Sequence, residues 1–254
     1  MKGCIIHKPD SVDLAEEVLK FLAKIGVSAE ILQDWSLAKD FDFIVSVGGD
    51  GTILRLLQFI DGKTPPIFGI NTGKVGLLTH CDANFREHLL KAIEEFETEE
   101  FMRIECVVDG ERLLALNEIA ILTAKPARMI GVRIFIDGIE IEDIRCDGML
   151  ISTPIGSTAY ALSTGGPIID PYIESILIVP VAPFKLGWKP WVVSANRKIK
   201  AEVDSEAFVV ADGHRSVLAD GDSEIVVRKS KSYAVFFKME NRIGRIVEKL
   251  KLIC

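Results

Sequence analysis

Apolar positions recur with two different periods along this chain of 254 residues, and the change falls near residue 100. Residues 3–7 (GCIIH) form a short apolar run. After Ser11, a candidate N-cap, the apolar residues Val12, Ala15, Leu19, Leu22 and Ile25 follow at helical spacing. Residues 28–32 predict a second strand, and 41–47 (FDFIVSV) a third, buried on both faces. A helix follows over 51–60, carried by Ile53, Leu54, Leu56, Leu57 and Ile60. A strand over 66–70 and a helix over 85–96 complete this half. Strands alternating with helices predict crossover units and a parallel sheet. Past residue 100 the period becomes two. Residues 130–137 are apolar at even positions and 197–203 at odd ones. Asp-Gly pairs at 109–110, 137–138, 212–213 and 220–221 punctuate this half as hairpin turns do. Helical spacing returns over 240–250. The fold class read from this is an α/β N-terminal domain with a parallel sheet, then a mainly antiparallel, sandwich-like β domain and a C-terminal helix. The corresponding segments are 1–100, 101–238 and 239–254, the last expected to pack back on the first domain. No internal repeat or Pro/Gly/Ser linker interrupts them.

Composition narrows the function classes. Hydrophobic residues are 48% and charged residues 26%, which is globular and excludes a disordered scaffold. The net charge is −7 and the pI about 5.3, so the basic surface that nucleic acid demands is missing. Mean hydropathy is +0.27, yet no apolar run approaches the ~20 residues of a membrane helix. Met1 to Ile6 enters a strand directly, with no cleavable leader pattern. The expectation is a cytoplasmic protein with no membrane or nucleic-acid partner. Five cysteines (4, 81, 106, 146, 254) form no CxxC pair, and the four histidines are scattered. His80-Cys81 is read as structural, since neighbours in an extended segment point apart.

The chemistry concentrates in four places. Gly48-Gly49-Asp50-Gly51-Thr52 follows a buried strand and opens a helix, the setting of an anion or phosphate site. A carboxylate beside phosphate makes sense if a divalent cation bridges the two, or if the carboxylate takes a proton from an attacking hydroxyl. Alternatively, the loop is a tight turn with Asp50 as helix N-cap. Residues 69–79 (GINTGKVGLLT) follow the next strand, with Asn71 and Thr72 as hydrogen-bonding groups and Lys74 as a phosphate partner. Consecutive strand ends of a parallel sheet open on one crevice, so this loop is expected to face the first. Read alone, it fits a solvated turn equally well. Asp147 to Ile169 (DGMLISTPIGSTAYALSTGGPII) is dense in hydroxyls and glycines, which suits wrapping a polar ligand, or a loop stitched by its own backbone. It holds no GxSxG and no histidine, which weighs against a serine nucleophile. Asn117-Glu118 can donate and accept together, as a ribose diol or base edge requires, or simply close a β-turn.

Taken together, these motifs resemble the NAD kinase family. GGDGT at 48–52 is shared with a wider kinase superfamily of lipid and phosphofructokinase-type enzymes. Asn117-Glu118 and the 147–169 block are more specific, and the resemblance runs from the first strand to about residue 240. It implies transfer of the γ-phosphate of ATP to the 2′-hydroxyl of the adenosine ribose of NAD, giving NADP, with the substrate between two domains. It also implies Mg²⁺ or another divalent cation held mainly by donor phosphates, and a homodimer or homotetramer. Asp50 matches the catalytic aspartate, as general base or orienter. Gly48, Gly49, Gly51 and Thr52 match the phosphate loop, to which Asn71 and Lys74 are added as ATP-side candidates. Asn117 and Glu118 match the pair holding ribose and adenine. Asp147 matches an aspartate contacting the nicotinamide part from a neighbouring subunit. Ser152, Thr158, Ala159, Tyr160 and Ala182 match positions of the NAD pocket. The chain departs from the family at Leu77 or Leu78, where an aromatic is common, at Phe184, where His often follows Ala-Pro, and at His214, where many have Gln. Donor preference, ATP or polyphosphate, stays open, as does acceptance of NADH.

Two other classes are weighed against this one. A lipid or sugar kinase shares GGDGT, but a lipid kinase needs an apolar or basic membrane-facing surface that the sequence lacks. A non-catalytic NAD sensor would keep Asn117-Glu118 and have no need of Asp50. Phe184, Trp188 and Trp191 are read as core residues, with a subunit contact as the alternative.

Overall fold

A computed structural model describes residues 1–251, so residues 252–254, the end of the expected terminal segment and Cys254 with them, lie outside the described residues. The chain divides into two compact units. The first takes residues 1–100 and the described residues from 232 onward, the second residues 101–231.

In the first unit, β1 (Lys2–His7), α1 (Val12–Lys24), β2 (Ser28–Ile31), β3 (Phe43–Gly48), α2 (Asp50–Leu57), β4 (Ile67–Asn71) and α3 (Arg86–Glu95) alternate as their periods predict. The strands are parallel in the order β2-β1-β3-β4. Every residue of β3 and β4 is buried, as expected where helices cover both faces. Ile5, Val18, Leu22, Phe43, Val45, Phe68, Phe85 and Leu89 form the core. The sheet register sets Gly48 of β3 beside Asn71 of β4. The two glycine-bearing loops therefore leave adjacent strand ends. The final helix of the described chain, α5 (Arg242–Leu250; α4 is given below), also belongs to this unit. Ser11 precedes α1 but makes no capping bond. Its hydroxyl lies 3.3 Å from the Thr72 hydroxyl instead.

The second unit is built mainly of antiparallel pairs. One sheet runs β12 (Trp191–Ser194), β11 (Ser175–Val181), β10 (Gly148–Ser152), β7 (Glu118–Thr123), β14 (Ala207–Ala211), β15 (Arg215–Ala219). A second group joins β13 (Ile199–Val203) to β8 (Ile130–Ile136), which in turn pairs with β9 (Ile139–Cys146). The hairpin of β5 (Thr98–Val108) and β6 (Glu111–Ala115) completes it, and β6 lies against β14 and β15. A short helix, α4 (Tyr160–Ser163), follows the 3-10 turn 155–158. Three of the four Asp-Gly pairs are turns with positive φ at both residues, at 109–110, 137–138 and 212–213, the backbone a tight type I′ hairpin requires. Asp220-Gly221 has no positive φ and links β15 to the last strand without a tight hairpin.

That last strand, β16 (Ile225–Phe237), carries the chain from the second unit into the first. Its start pairs with β13 and its end with β4. Residues 232–237 thus fall with the first unit, whereas the periodicity alone placed that boundary at 238. Parallel pairing of Phe236 with Ile67 is a long-range event with no local signature. Among the described residues no helix is long and apolar enough to cross a membrane.

Candidate active site

In the first unit, the site grows from the turn between β3 and α2. Gly49 caps α2 and Asp50 is its first residue, so the expectation of Asp50 as N-cap is replaced by a different arrangement. The Asp50 carboxylate accepts two backbone N–H groups, from Leu77 to Oδ2 at 2.8 Å and from Leu78 to Oδ1 at 2.8 Å. Burial raises its pKa above the usual 3.8, while those two N–H groups and the charges of Arg245 and Lys249 oppose the rise. The result is an oriented carboxylate of increased basicity, with lone pairs still open.

The second loop is laced to the first. Thr72 donates its N–H to Gly48 O at 3.1 Å. Asn71 is buried. Its Oδ1 accepts the Gly73 N–H at 3.0 Å, and its amide donates to Gly73 O and to Asp82 Oδ1. Gly76 has φ +74°, and a Cβ there would stand 2.6–2.7 Å from Thr79 and Asn71, so the sharp return of this loop needs glycine. By contrast, a Cβ on Gly49 would approach only Asn71 Oδ1, at 4.0 Å, and one on Gly51 nothing within 4 Å. Packing does not require glycine at either position, which leaves room before the helix N-terminus. Thr52 is buried in the first turn and Lys74 is exposed. His80 is structural. Its Nδ1 accepts the Gly69 N–H and its Nε2 donates to Phe237 O, and burial pushes its pKa down to about 3.

The second unit carries a separate polar cluster at one end of β7 and β10, where the register places Ser152 beside Glu118. Asn117 and Glu118 are 7% and 8% exposed, and Asn117 Oδ1 and Glu118 Oε2 are buried with no hydrogen-bond partner. Buried polar atoms without partners are uncommon and call for an explanation such as a ligand. The backbone beneath them is held tightly. Asp212 accepts the N–H groups of Leu116 (2.8 Å), Asn117 (2.8 Å) and Glu118 (3.2 Å). Asn117 O accepts from the Ser152 hydroxyl and the Thr153 N–H, and a Cβ on Gly156 would come within 2.1 Å of it. Burial, then the neighbouring Asp212, pushes Glu118 up to about 8. Asp212 is itself raised by burial, to about 6, against its three N–H donors and Arg103. Glu118 therefore keeps its proton near neutral pH and presents a donor and an acceptor together.

Thr158 is buried and Ala159 half-buried near this end, with Tyr160 partly exposed at the start of α4. Asp147 and Ala182 are not brought to it. They sit together at the far end of β10, where the Asp147 N–H donates to Val181 O. Ser152 lies five residue steps along the strand from Asp147, about 17 Å at the usual rise. Asp212 was read from sequence only as a hairpin turn, and Arg245 not at all. Phe184 and Trp191 are corrected from core to surface. Phe184 is 76% exposed, in the loop before β12.

Residues 34–99 match the family described as ATP-NAD kinase N-terminal domain, and residues 116–239 the ATP-NAD kinase C-terminal domain. A curated NAD kinase of Archaeoglobus fulgidus is 50% identical over 256 residues, covering 100% of both chains. The chain belongs to the NAD kinase family. A crystal structure of an NAD kinase from Archaeoglobus fulgidus in complex with ATP superposes with a TM-score of 0.91 at 47% identity, covering 99% of each chain. Yeast NADH kinase complexed with NADH shares the fold, with a TM-score of 0.86 at 22% identity, over 99% of this chain and 87% of that one. The N-terminal domain match falls within the first unit and most of the C-terminal domain match within the second.

Proposed function

We propose that the chain transfers the γ-phosphoryl group of ATP to the 2′-hydroxyl of the adenosine ribose of NAD, and that Asp50 accepts the proton of that hydroxyl. Phosphorylation of NAD to NADP is the reaction of this family of enzymes. The observation that carries the role of Asp50 is its clamped carboxylate at the start of a helix that ends a buried parallel strand. A ribose hydroxyl is a weak nucleophile, and a positioned general base contributes about 10²–10⁴-fold. The Gly48–Thr52 loop, open at Gly49 and Gly51, receives the donor phosphates with Lys74, while Asn71, its amide spent on Gly73 and Asp82, shapes the neighbouring loop. Asn117 Oδ1 and the Glu118 carboxyl hold the adenosine part of NAD, beside Ser152, Thr158, Ala159 and Tyr160, which satisfies their unpaired atoms.

A divalent cation such as Mg²⁺ fits this donor set if the phosphates carry it. Asp50 already accepts two N–H groups, and no cluster of three His, Cys, Asp or Glu gathers among the described residues. When bound, the cation neutralises charge on the transferred group. Asp147 and Ala182, remote from Glu118 within one chain, reach a bound NAD from a second copy. A homodimer or homotetramer is the proposed assembly, and the cytoplasm the proposed compartment.

The test is conversion. Protein incubated with NAD, ATP and Mg²⁺ should yield NADP, detected by an NADP-specific dehydrogenase. Product only with polyphosphate would correct the donor. No product with either donor, from NAD or NADH, would overturn the proposal.

A further inference from the structure

We propose that α5 is a clasp on the catalytic loops, and that Arg245 and Lys249 are positioning residues for Asp50. This rests on the role of Asp50 given above and extends it to a helix far away in sequence. Three bonds leave the Arg245 guanidinium. Nε donates to Gly76 O at 3.2 Å, Nη1 to His80 O at 3.0 Å and Nη2 to the Thr79 hydroxyl at 3.3 Å. These anchors bracket Leu77 and Leu78, the two residues whose N–H groups grip Asp50. All three acceptors are neutral, so the arginine spends its planar fork on the shape of a loop.

Lys249 stands four residues on, on the same face of α5. Its Nζ is 3.8 Å from Asp82 Oδ1, and its side chain is mostly covered. Asp82 Oδ1 in turn accepts the Asn71 amide at 3.1 Å, and Asn71 holds Gly73. One helix face thus fixes both ends of the second loop, at 71–73 through Lys249 and at 76–80 through Arg245. Without the clasp, Leu77 and Leu78 are free to leave the carboxylate. A base displaced by about 1 Å can lose on the order of 100-fold in rate without losing substrate affinity.

The experiment compares Arg245→Met, Arg245→Lys and Lys249→Met with wild type. Glu248→Gln, exposed on the same helix, is the control. Three readouts are taken: kcat for NADP formation, NAD affinity by calorimetry, and amide exchange at Leu77 and Leu78. Arg245→Met should lose roughly 100-fold in kcat with NAD affinity within about twofold, and exchange at the two amides should accelerate. Arg245→Lys, which keeps the charge without the fork, should fall between and serves if the methionine variant does not fold. Glu248→Gln should match wild type. A folded Arg245→Met protein within about threefold of wild-type kcat would overturn the proposal, as would NAD affinity falling in step with kcat. If wild type itself makes no NADP, the function reading fails and exchange alone judges the clasp. Unchanged protection at Leu77 and Leu78 in the variants then overturns it.

Discussion

Carboxylates taken out of water are expensive, and Asp50, Asp212 and Glu118 are used differently. Asp50 is oriented by two N–H donors and left basic. Asp212 accepts three backbone N–H groups and so holds the turn from which Asn117 and Glu118 project. Glu118 has a buried oxygen with no partner and keeps its proton up to about pH 8. The unfolded chain releases this proton near 4.5 and the folded one near 8, so over that window the native state binds more protons. Stability of the ligand-free protein then falls as pH rises from about 4.5 to 8. Asp212 adds to the fall below about 6. Glu118→Gln removes the larger part of this slope, so its denaturant midpoint should decline less between pH 5 and pH 8 than that of wild type. Parallel slopes would mean that Glu118 is ionised when folded. Gly156→Ala should cost stability and NAD affinity together, because its new methyl would meet Asn117 O at 2.1 Å. Calorimetric titration at a temperature where the variant is folded checks this. Asp50, Asn117 and Glu118 were legible because contiguous motifs carry them. Asp212 and Arg245 were not, because their partners stand 94 to 96 and 165 to 169 residues away and no local spacing announces them.

Elements were legible where their period is long and uninterrupted. The N-terminal helices and the parallel strands follow from apolar spacing, and three hairpins from Asp-Gly turns. Which strands become neighbours was not legible, since β16 meets β4 only by long-range pairing. The terminal helix was found by its period, but its importance lies in what its polar residues hold. Besides Arg245 and Lys249, α5 begins at Arg242, whose guanidinium bonds Glu99, with both side chains almost fully covered. Removing one partner of such a pair leaves a buried charge and costs about 3–5 kcal/mol. Glu99→Ala should therefore lower stability by that amount in urea unfolding. The double change Glu99→Leu with Arg242→Met should recover most of it. An equal loss in both would show that the ion pair itself supplies the stability.

At the scale of the molecule, a chain with net charge −7 exposes a set of large apolar side chains in one loop and the edge strand after it. Phe184 is 76% and Leu186 95% exposed, and Trp191 and Val192 of β12 are about half exposed. Apolar surface of this kind marks contact sites, and it adjoins Ala182, one of the two NAD candidates that a single chain keeps from Glu118. The proposed oligomer joins these facts. Wild type should sediment as at least a dimer of the 28.0 kDa chain, and Leu186→Asp should shift it towards monomer with a loss of NAD affinity. A wild-type monomer at micromolar concentration would remove Asp147 and Ala182 from the site. The most direct test remains the carboxylate at the head of α2. Asp50→Asn keeps the shape of the side chain and loses the base. With NAD, ATP and Mg²⁺, the variant should form NADP about 10²–10⁴-fold more slowly than wild type while binding NAD equally well. A variant turning over near the wild-type rate would contradict the assignment of Asp50 and the mechanism built on it.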